Sequence, residues 1–443
     1  MPARIHIASA CIVLVAIATG VYTWHTSVAH TETETKAAVP TYKTPAEAQS
    51  VYTRFVMEAY DDIADKYWQK TSDADLSQLF SLSISKAAAT STLQLATSTR
   101  AGVAQMFAQA LVGLSTTSAR DLALKTITVV LYNLAPVGRD QILSREAQSS
   151  LTNTVENVHP EQDLYSTLGL QKGATLAQVN TAFTQKQAEL AATTSQEGKA
   201  ALSQVAEAHA VLSNPLDKTI YDQTGAQPTV FVHQVNQHTL YIYISQIAPT
   251  TITEFASAIN NASTTPNLTN LIIDVRGNIG GDLSFAQEFL ALFFGPNQYG
   301  FDLFHQGDLT VQRTASVQQA GAMTRFKEIA VLTDEMSQST AEVMASALKH
   351  DRLAYTVGTT TRGWGSVEQI VPMGTPIDTS ESYALEMVSY LTVRYDGLPI
   401  EGNGVVPDVA VSDPHWKSAL ANYFASPDMI TAIQKMVTQA PLK

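Results

Sequence analysis

The chain has 443 residues, which at roughly 150 per domain suggests about three domains. Hydrophobic residues make up 45% and charged residues only 15%, which excludes a wholly disordered chain. A net charge of -13 argues against a sequence-independent nucleic-acid binder, and the single cysteine, Cys11, excludes an intrachain disulfide and a Cys-based zinc site.

The first predicted element is Ile7 to Trp24, apolar apart from Ser9, Thr19, Thr23 and a few small residues. Eighteen residues at about 1.5 Å each span about 27 Å, enough for the hydrocarbon core of a bilayer. Arg4 precedes the run, and Tyr22 and Trp24 suit the far interface. Residues 1–29 are therefore expected to be an N-terminal transmembrane helix, crossing once, with the body on the extracytoplasmic side. The rival is a cleaved signal peptide, for which Ser27-Val28-Ala29 offers small residues at the required spacing. Residues 30–43 read as a polar tether.

Thr44-Pro45-Ala46-Glu47 has the order of an N-cap, a first-turn proline and a capping-box glutamate. Apolar residues recur at helical spacing from Val51 to about Leu143, so 44–158 is expected to be all-helical. In the next unit, 159–226, Asp163-Leu164-Tyr165-Ser166-Thr167-Leu168-Gly169 precedes helices expected at about Leu176 to Ala191 and Lys199 to Leu212. Ser213-Asn214-Pro215 and Lys218-Thr219-Ile220-Tyr221-Asp222 close it. This pattern resembles a J-domain, the co-chaperone module. The resemblance implies a small helical unit. It does not imply stimulation of a heat-shock chaperone, because the loop Ala192 to Gly198 lacks the His-Pro-Asp tripeptide that such stimulation uses.

From 227 to 443 strands alternate with helices. Strands are expected at Leu240–Ile244, Leu268–Val275, Ile329–Thr333 and Ala354–Val357, and helices at Ile252–Ile259, Phe285–Phe294 and Ala341–Lys349. The expected fold is an α/β (α+β) core with a mixed sheet covered by helices. Three segments stand out: Asp274-Val275-Arg276-Gly277-Asn278-Ile279-Gly280-Gly281, Ser337-Gln338-Ser339-Thr340-Ala341-Glu342, and Ile400-Glu401-Gly402-Asn403-Gly404-Val405-Val406-Pro407-Asp408-Val409. A glycine pair after a strand lets backbone N–H groups turn toward an oxyanion, and a serine at a strand-to-helix junction meets helix N-terminal amides. Each alone is ordinary turn and cap chemistry.

Together, in this order and spacing, they resemble the C-terminal-processing, or tail-specific, serine peptidase family, with patterns DLRxNPGG, SASASE and IEGxGIxPDV. Ala59-Tyr60-Asp61-Asp62-Ile63 and Tyr67-Trp68 resemble the family's leading region more weakly. The resemblance implies Ser339 as nucleophile, an oxyanion donor in the pair Gly280 and Gly281, and a second at Thr340. It also implies a lysine base 25 residues after the serine, where this chain has Trp364, and a glutamine four residues later, where it has Glu368. An indole N–H is a donor only, and Arg362 stays protonated. The ten histidines show no spacing that nominates a base. The family's PDZ module, which captures the substrate's C-terminus, has no counterpart; the 159–226 unit holds its place.

The reading is therefore a peptidase homologue that binds peptide or protein C-terminal tails with impaired or absent proteolysis. An active serine endopeptidase using Ser339 with Glu368 or another base is one alternative. A partner-binding scaffold is the other. No cofactor, metal or nucleic-acid partner is expected.

Overall fold

The computed structural model describes residues 43–350 and 352–443. The expected anchor or signal at 1–29 and nearly all of the 30–43 tether lie outside the described residues. Among the described residues no helix is long and apolar enough to cross a membrane.

Five helices open the described chain: α1 (Pro45–Gln49), α2 (Val51–Lys66), α3 (Asp73–Ala87), α4 (Arg100–Ala110) and α5 (Thr116–Tyr132). Each begins at a Ser or Thr whose side chain accepts an amide of the first turn, as Thr44 accepts from Glu47 and Ser72 from Asp75. Arg100, at the start of α4, binds Glu47 at 2.7 Å and Asp61 at 2.6 Å, tying α1, α2 and α4 together.

The expectation of an all-helical region to residue 158 is corrected at β1 (Gln141–Ser144), which precedes α6 (Arg145–Val155). β1 pairs antiparallel with a strand some 240 residues later, Gln141 opposite Glu386 and Ser144 opposite Tyr383. Four residues are too few to show a period, and pairing with a distant strand decides their conformation. The helices also share one core with that sheet: Phe55, Phe80 and Phe107 cluster with Val371, Leu385 and Met387. Tyr67-Trp68 sits at this seam. The Trp68 amide donates to Val388 O at 3.0 Å, and its indole to Ala135 O at 2.6 Å.

The 159–226 unit holds α7 (Leu164–Thr167), α8 (Leu176–Leu190), α9 (Gln196–Ser213) and α10 (Pro215–Thr224). It has a small core of its own around Leu164, Tyr165, Leu168, Val179 and Leu212. Its two chain ends meet at a Val158–Ala226 bridge, with the Gln227 amide donating to Asn157 O at 3.0 Å.

The C-terminal part adds β2 (Val230–Gln234), β3 (Thr239–Ile244), α11 (Thr251–Ala262), β4 (Asn270–Asp274), α12 (Ser284–Phe294), β5 (Tyr299–His305), β6 (Asp308–Arg313) and β7 (Glu328–Thr333). Then come α13 (Thr340–His350), β8 (Tyr355–Gly358), β9 (Ser366–Pro372), β10 (Tyr383–Val393), β11 (Val409–Ala410), α14 (Trp416–Ala419) and α15 (Pro427–Val437). The expected helix-covered mixed sheet is present, in order β11-β8-β7-β4-β3-β2, parallel except for β2. All six residues of β3 are buried, because helices lie on both faces. Leu240, Ile242 and Ile244 meet α11 to α13, while Tyr241 and Tyr243 meet α15. A second, antiparallel sheet, β1-β10-β5-β6 with β9 also on β10, is additional to the expectation.

Candidate active site

β4 ends at Asp274, which is fully buried and accepts from the Tyr241 hydroxyl at 2.7 Å and from Arg276. The chain then turns through Gly277 to Gly281. Asn278 holds the turn: its side-chain amide donates to Ile244 O at 2.8 Å, and its carbonyl oxygen Oδ1 accepts from the Gly280 amide at 2.8 Å. A Cβ on Gly280 would lie 2.5 Å from Ser339 Cβ, and one on Gly281 1.7 Å from Ile247 O. Only glycine fits at either position.

β7 leads into the second segment. Asp334 accepts the amides of Met336 and Ser337, and the Ser337 hydroxyl donates to Val275 O at 2.8 Å, fastening this turn to the first. Ser339 follows with φ 57°, left-handed backbone at the threshold of α13. Such a conformation costs about 1–3 kcal/mol and must be held by its surroundings. The Thr340 hydroxyl donates to Gly281 O at 2.8 Å, so the glycine turn and the helix start lie side by side. Among the described residues the amides of Gly281 and Thr340 have no acceptor.

The residue that joins the site is Glu342, fully buried in the first turn of α13. Its Oε2 accepts the Ser339 amide at 2.9 Å and the Trp364 amide at 2.8 Å. Its Oε1 accepts the Gly363 amide at 2.7 Å and the Thr361 hydroxyl. Burial raises the Glu342 carboxyl above its ordinary value, and these four donors oppose the rise. The Ser339 and Trp364 backbones are thus two hydrogen bonds apart through one oxygen. The third segment packs on the same loop: the Val405 amide donates to Thr361 Oγ1 at 2.7 Å, and the Gly402 amide to Gly363 O at 2.9 Å.

Trp364 presents its indole to Arg139, whose guanidinium carbon stands 3.3 Å from the ring centroid; that of Arg362 is at 5.4 Å. Arg139 comes from the helical region, just before β1. It also donates to Glu401 at 3.0 Å and to the Ser366 hydroxyl at 3.3 Å. Glu401 accepts the Gly365 and Ser366 amides, and the Ser366 hydroxyl donates to Glu368 at 2.7 Å.

The structure therefore brings together Gly280, Gly281, Ser339, Thr340 and Trp364. Glu368 sits further along β9, opposite Val388, and among the described residues it is linked to this group through Ser366 and Arg139. Of the glycine pair, Gly280 has its amide committed to Asn278, which leaves that of Gly281 available. Lys349 points away and pairs with Asp408 at 3.1 Å. Sequence reasoning missed Glu342 and Arg139. Glu342 had a signal, since a glutamate three residues after a helix-capping serine returns to the serine's amide. Arg139 had none.

Asp140, beside Arg139, is buried as well. One oxygen accepts the Val388 amide at 2.7 Å and the other has no partner. Burial first, then the charges of Glu368 and Glu386, push its pKa up to about 7. The unfolded value is about 4, so the stability linked to its neutral form is complete below about pH 4 and lost as pH rises through about 7. Asp140→Asn is expected to stabilise the fold relative to wild type by roughly 2 kcal/mol more at pH 8 than at pH 5. Melting temperatures of both proteins at the two pH values check this; an equal difference at both would refute it.

Residues 238–411, which contain all three segments, match the profile described as Peptidase family S41. The chain carries a peptidase S41 domain. It is 30% identical over 194 residues to carboxy-terminal processing protease CtpB of Bacillus subtilis, covering 43% of this chain and 38% of that protein. It is 29% identical over 177 residues to the carboxy-terminal-processing protease of Bartonella bacilliformis, covering 39% of each. These alignments span under two-fifths of the length of either curated relative. Among solved structures, the photosystem II D1 C-terminal processing protease superposes with a TM-score of 0.45 at 13% identity, over 82% of this chain and 93% of that one. The chain is thus related to C-terminal-processing serine proteases through its S41 domain, and the helical region and the 159–226 unit lie outside the matched span.

Proposed function

We propose that the S41 domain of this chain binds protein C-terminal tails in extended form beside Ser339 and turns them over slowly or not at all. The observation that carries this reading is the sharing of one Glu342 oxygen by the Ser339 and Trp364 amides. It ties the backbone at residue 364 to that of Ser339, and the side chain carried there is an indole held against Arg139.

The chemistry follows from what each group can do. A tail carbonyl approaching Ser339 Oγ would set its oxygen toward the free amides of Gly281 and Thr340, at the positive end of the 11-residue α13. That arrangement favours binding and a developing oxyanion. The serine proton, however, needs an acceptor. The indole and the two guanidinium groups only donate, and Glu342 is committed to four donors. Loss of general-base assistance lowers rates by about 10²–10⁴-fold, and by up to about 10⁶ where the catalytic residues act as a unit. The reading extends to location. Ile7 to Trp24 anchors the body on the extracytoplasmic side of a membrane, within reach of exported tails.

The test combines a fluorophosphonate probe with peptide binding. Wild-type protein is expected to stay unlabelled at Ser339 over hours while retaining a fluorescent peptide with a free C-terminus. Labelling at the rate of an ordinary serine peptidase would establish the active alternative instead. Loss of both labelling and peptide binding would leave the scaffold.

A further inference from the structure

β6 is the outer strand of the antiparallel sheet and pairs with β5 alone. Five of its six residues are exposed, with only Gln312 partly covered, and the exposed set includes Leu309 at 62% and Val311 at 49%. Proteins ordinarily blunt such an edge with proline, lysine or a covering element. Asp308-Leu309-Thr310-Val311-Gln312-Arg313 contains neither residue and carries charges only at its two ends, and its exposure shows that no described element covers it. An apolar, unblunted edge of this kind calls for another strand.

The hairpin fixes which groups face outward. Gln306 and Gly307, both with positive φ (49° and 106°), form a two-residue turn closed by the His305–Asp308 pair. Such a turn makes its closing pair a hydrogen-bonded one. The alternation of antiparallel pairing then bonds Thr310 inward to Leu303, and turns the amides and carbonyls of Leu309 and Val311 to the open edge. The side chains of these two residues share a face with Phe304, which opposes Leu309.

We infer that a second copy of this chain docks here, its β6 pairing antiparallel with this one about a two-fold axis at Thr310. Parity and composition select that register. Residues facing each other across a symmetric antiparallel pair lie on the same side of the sheet, so their numbers must both be odd or both even. With the axis at Thr310, Leu309 opposes Val311 of the second copy and Val311 opposes its Leu309. All four carry outward-facing backbone groups, so both pairs close their hydrogen bonds while covering the exposed apolar side chains. Thr310 meets its own counterpart on the other face, and Asp308 opposes Gln312. A self-complementary edge is what an isologous interface requires. The two five-stranded sheets become one of ten strands.

The test uses the full chain with Cys11→Ser, which removes its only cysteine. Thr310→Cys, on the axis, is expected to form a disulfide-linked dimer under mild oxidation. Gln312→Cys, which faces position 308 of the second copy and so lies four residues along the strand from its own counterpart, is expected to crosslink at least about tenfold less. Sedimentation of the wild-type chain should show dimer at tens of micromolar, and Leu309→Lys with Val311→Lys should leave monomer. Both sites are exposed, so folding is not at stake, and unchanged far-ultraviolet circular dichroism confirms it. Equal crosslinking at 310 and 312, or a wild-type chain that stays monomeric, would overturn the inference. A monomer whose β6 amides are protected only by an added extended peptide would overturn it in favour of a peptide strand.

Discussion

Glu342→Ala is expected to lower the unfolding free energy by about 3–5 kcal/mol and to abolish tail binding. The carboxylate accepts four donors in a place without solvent: the amides of Ser339, Gly363 and Trp364 and the hydroxyl of Thr361. Each buried donor left unpaired costs about 1–3 kcal/mol, and water entering the vacated space recovers part of the sum. The same change frees Ser339 from the bond that steadies its left-handed backbone, so the serine and the Thr340 amide leave their places beside Gly280 and Gly281. Glu342→Gln keeps the volume and one acceptor but turns an NH₂ toward amide donors, and should fall between the two, near 2 kcal/mol. Urea unfolding of the three proteins measures this order. An alanine variant within 1 kcal/mol of wild type would show that the carboxylate does not hold the two loops together.

How far the sequence leads depends on how local the determining contact is. The runs Leu240–Ile244 and Leu271–Ile273 are continuous stretches of aliphatic and aromatic residues because helices bury both faces of their sheet, so their apolar patterning alone identifies them. The three site segments are likewise legible, because glycine at 280 and 281 and serine before a helix meet local steric and capping demands. β1, β5, β6, β9 and β10 are not. For β1 the conformation follows a partner far away in the chain: Leu143 is buried because α6 and β10 flank it and not because of any period in its four residues. Arg139 is hidden for the same reason. It precedes Ser366 and Glu401 by more than 220 residues, and no spacing announces that they meet.

The double change Trp364→Lys with Glu368→Gln is expected to raise fluorophosphonate labelling of Ser339 by about 10²–10⁴-fold over wild type, with each single change well short of that. Position 364 is tied to the serine's backbone through Glu342, so a lysine there extends from an anchored backbone. To act as base its amine must be neutral near the working pH. Arg139, fixed by Glu401 and Ser366, presents a like charge where the indole now lies, and this disfavours the ammonium form. The Glu368 carboxylate, bonded to Ser366 in the same network, acts in the opposite sense and keeps a lysine protonated. Glutamine removes that charge and keeps an acceptor for the Ser366 hydroxyl. The labelling rate should therefore rise with pH at a lower midpoint in the double variant than in Trp364→Lys alone. Adding Ser339→Ala should abolish the signal and so identify the labelled atom. Equal rates and equal midpoints for the single and double variants would mean that residue 368 does not act on the amine, and that the site lost its base through the single exchange at 364.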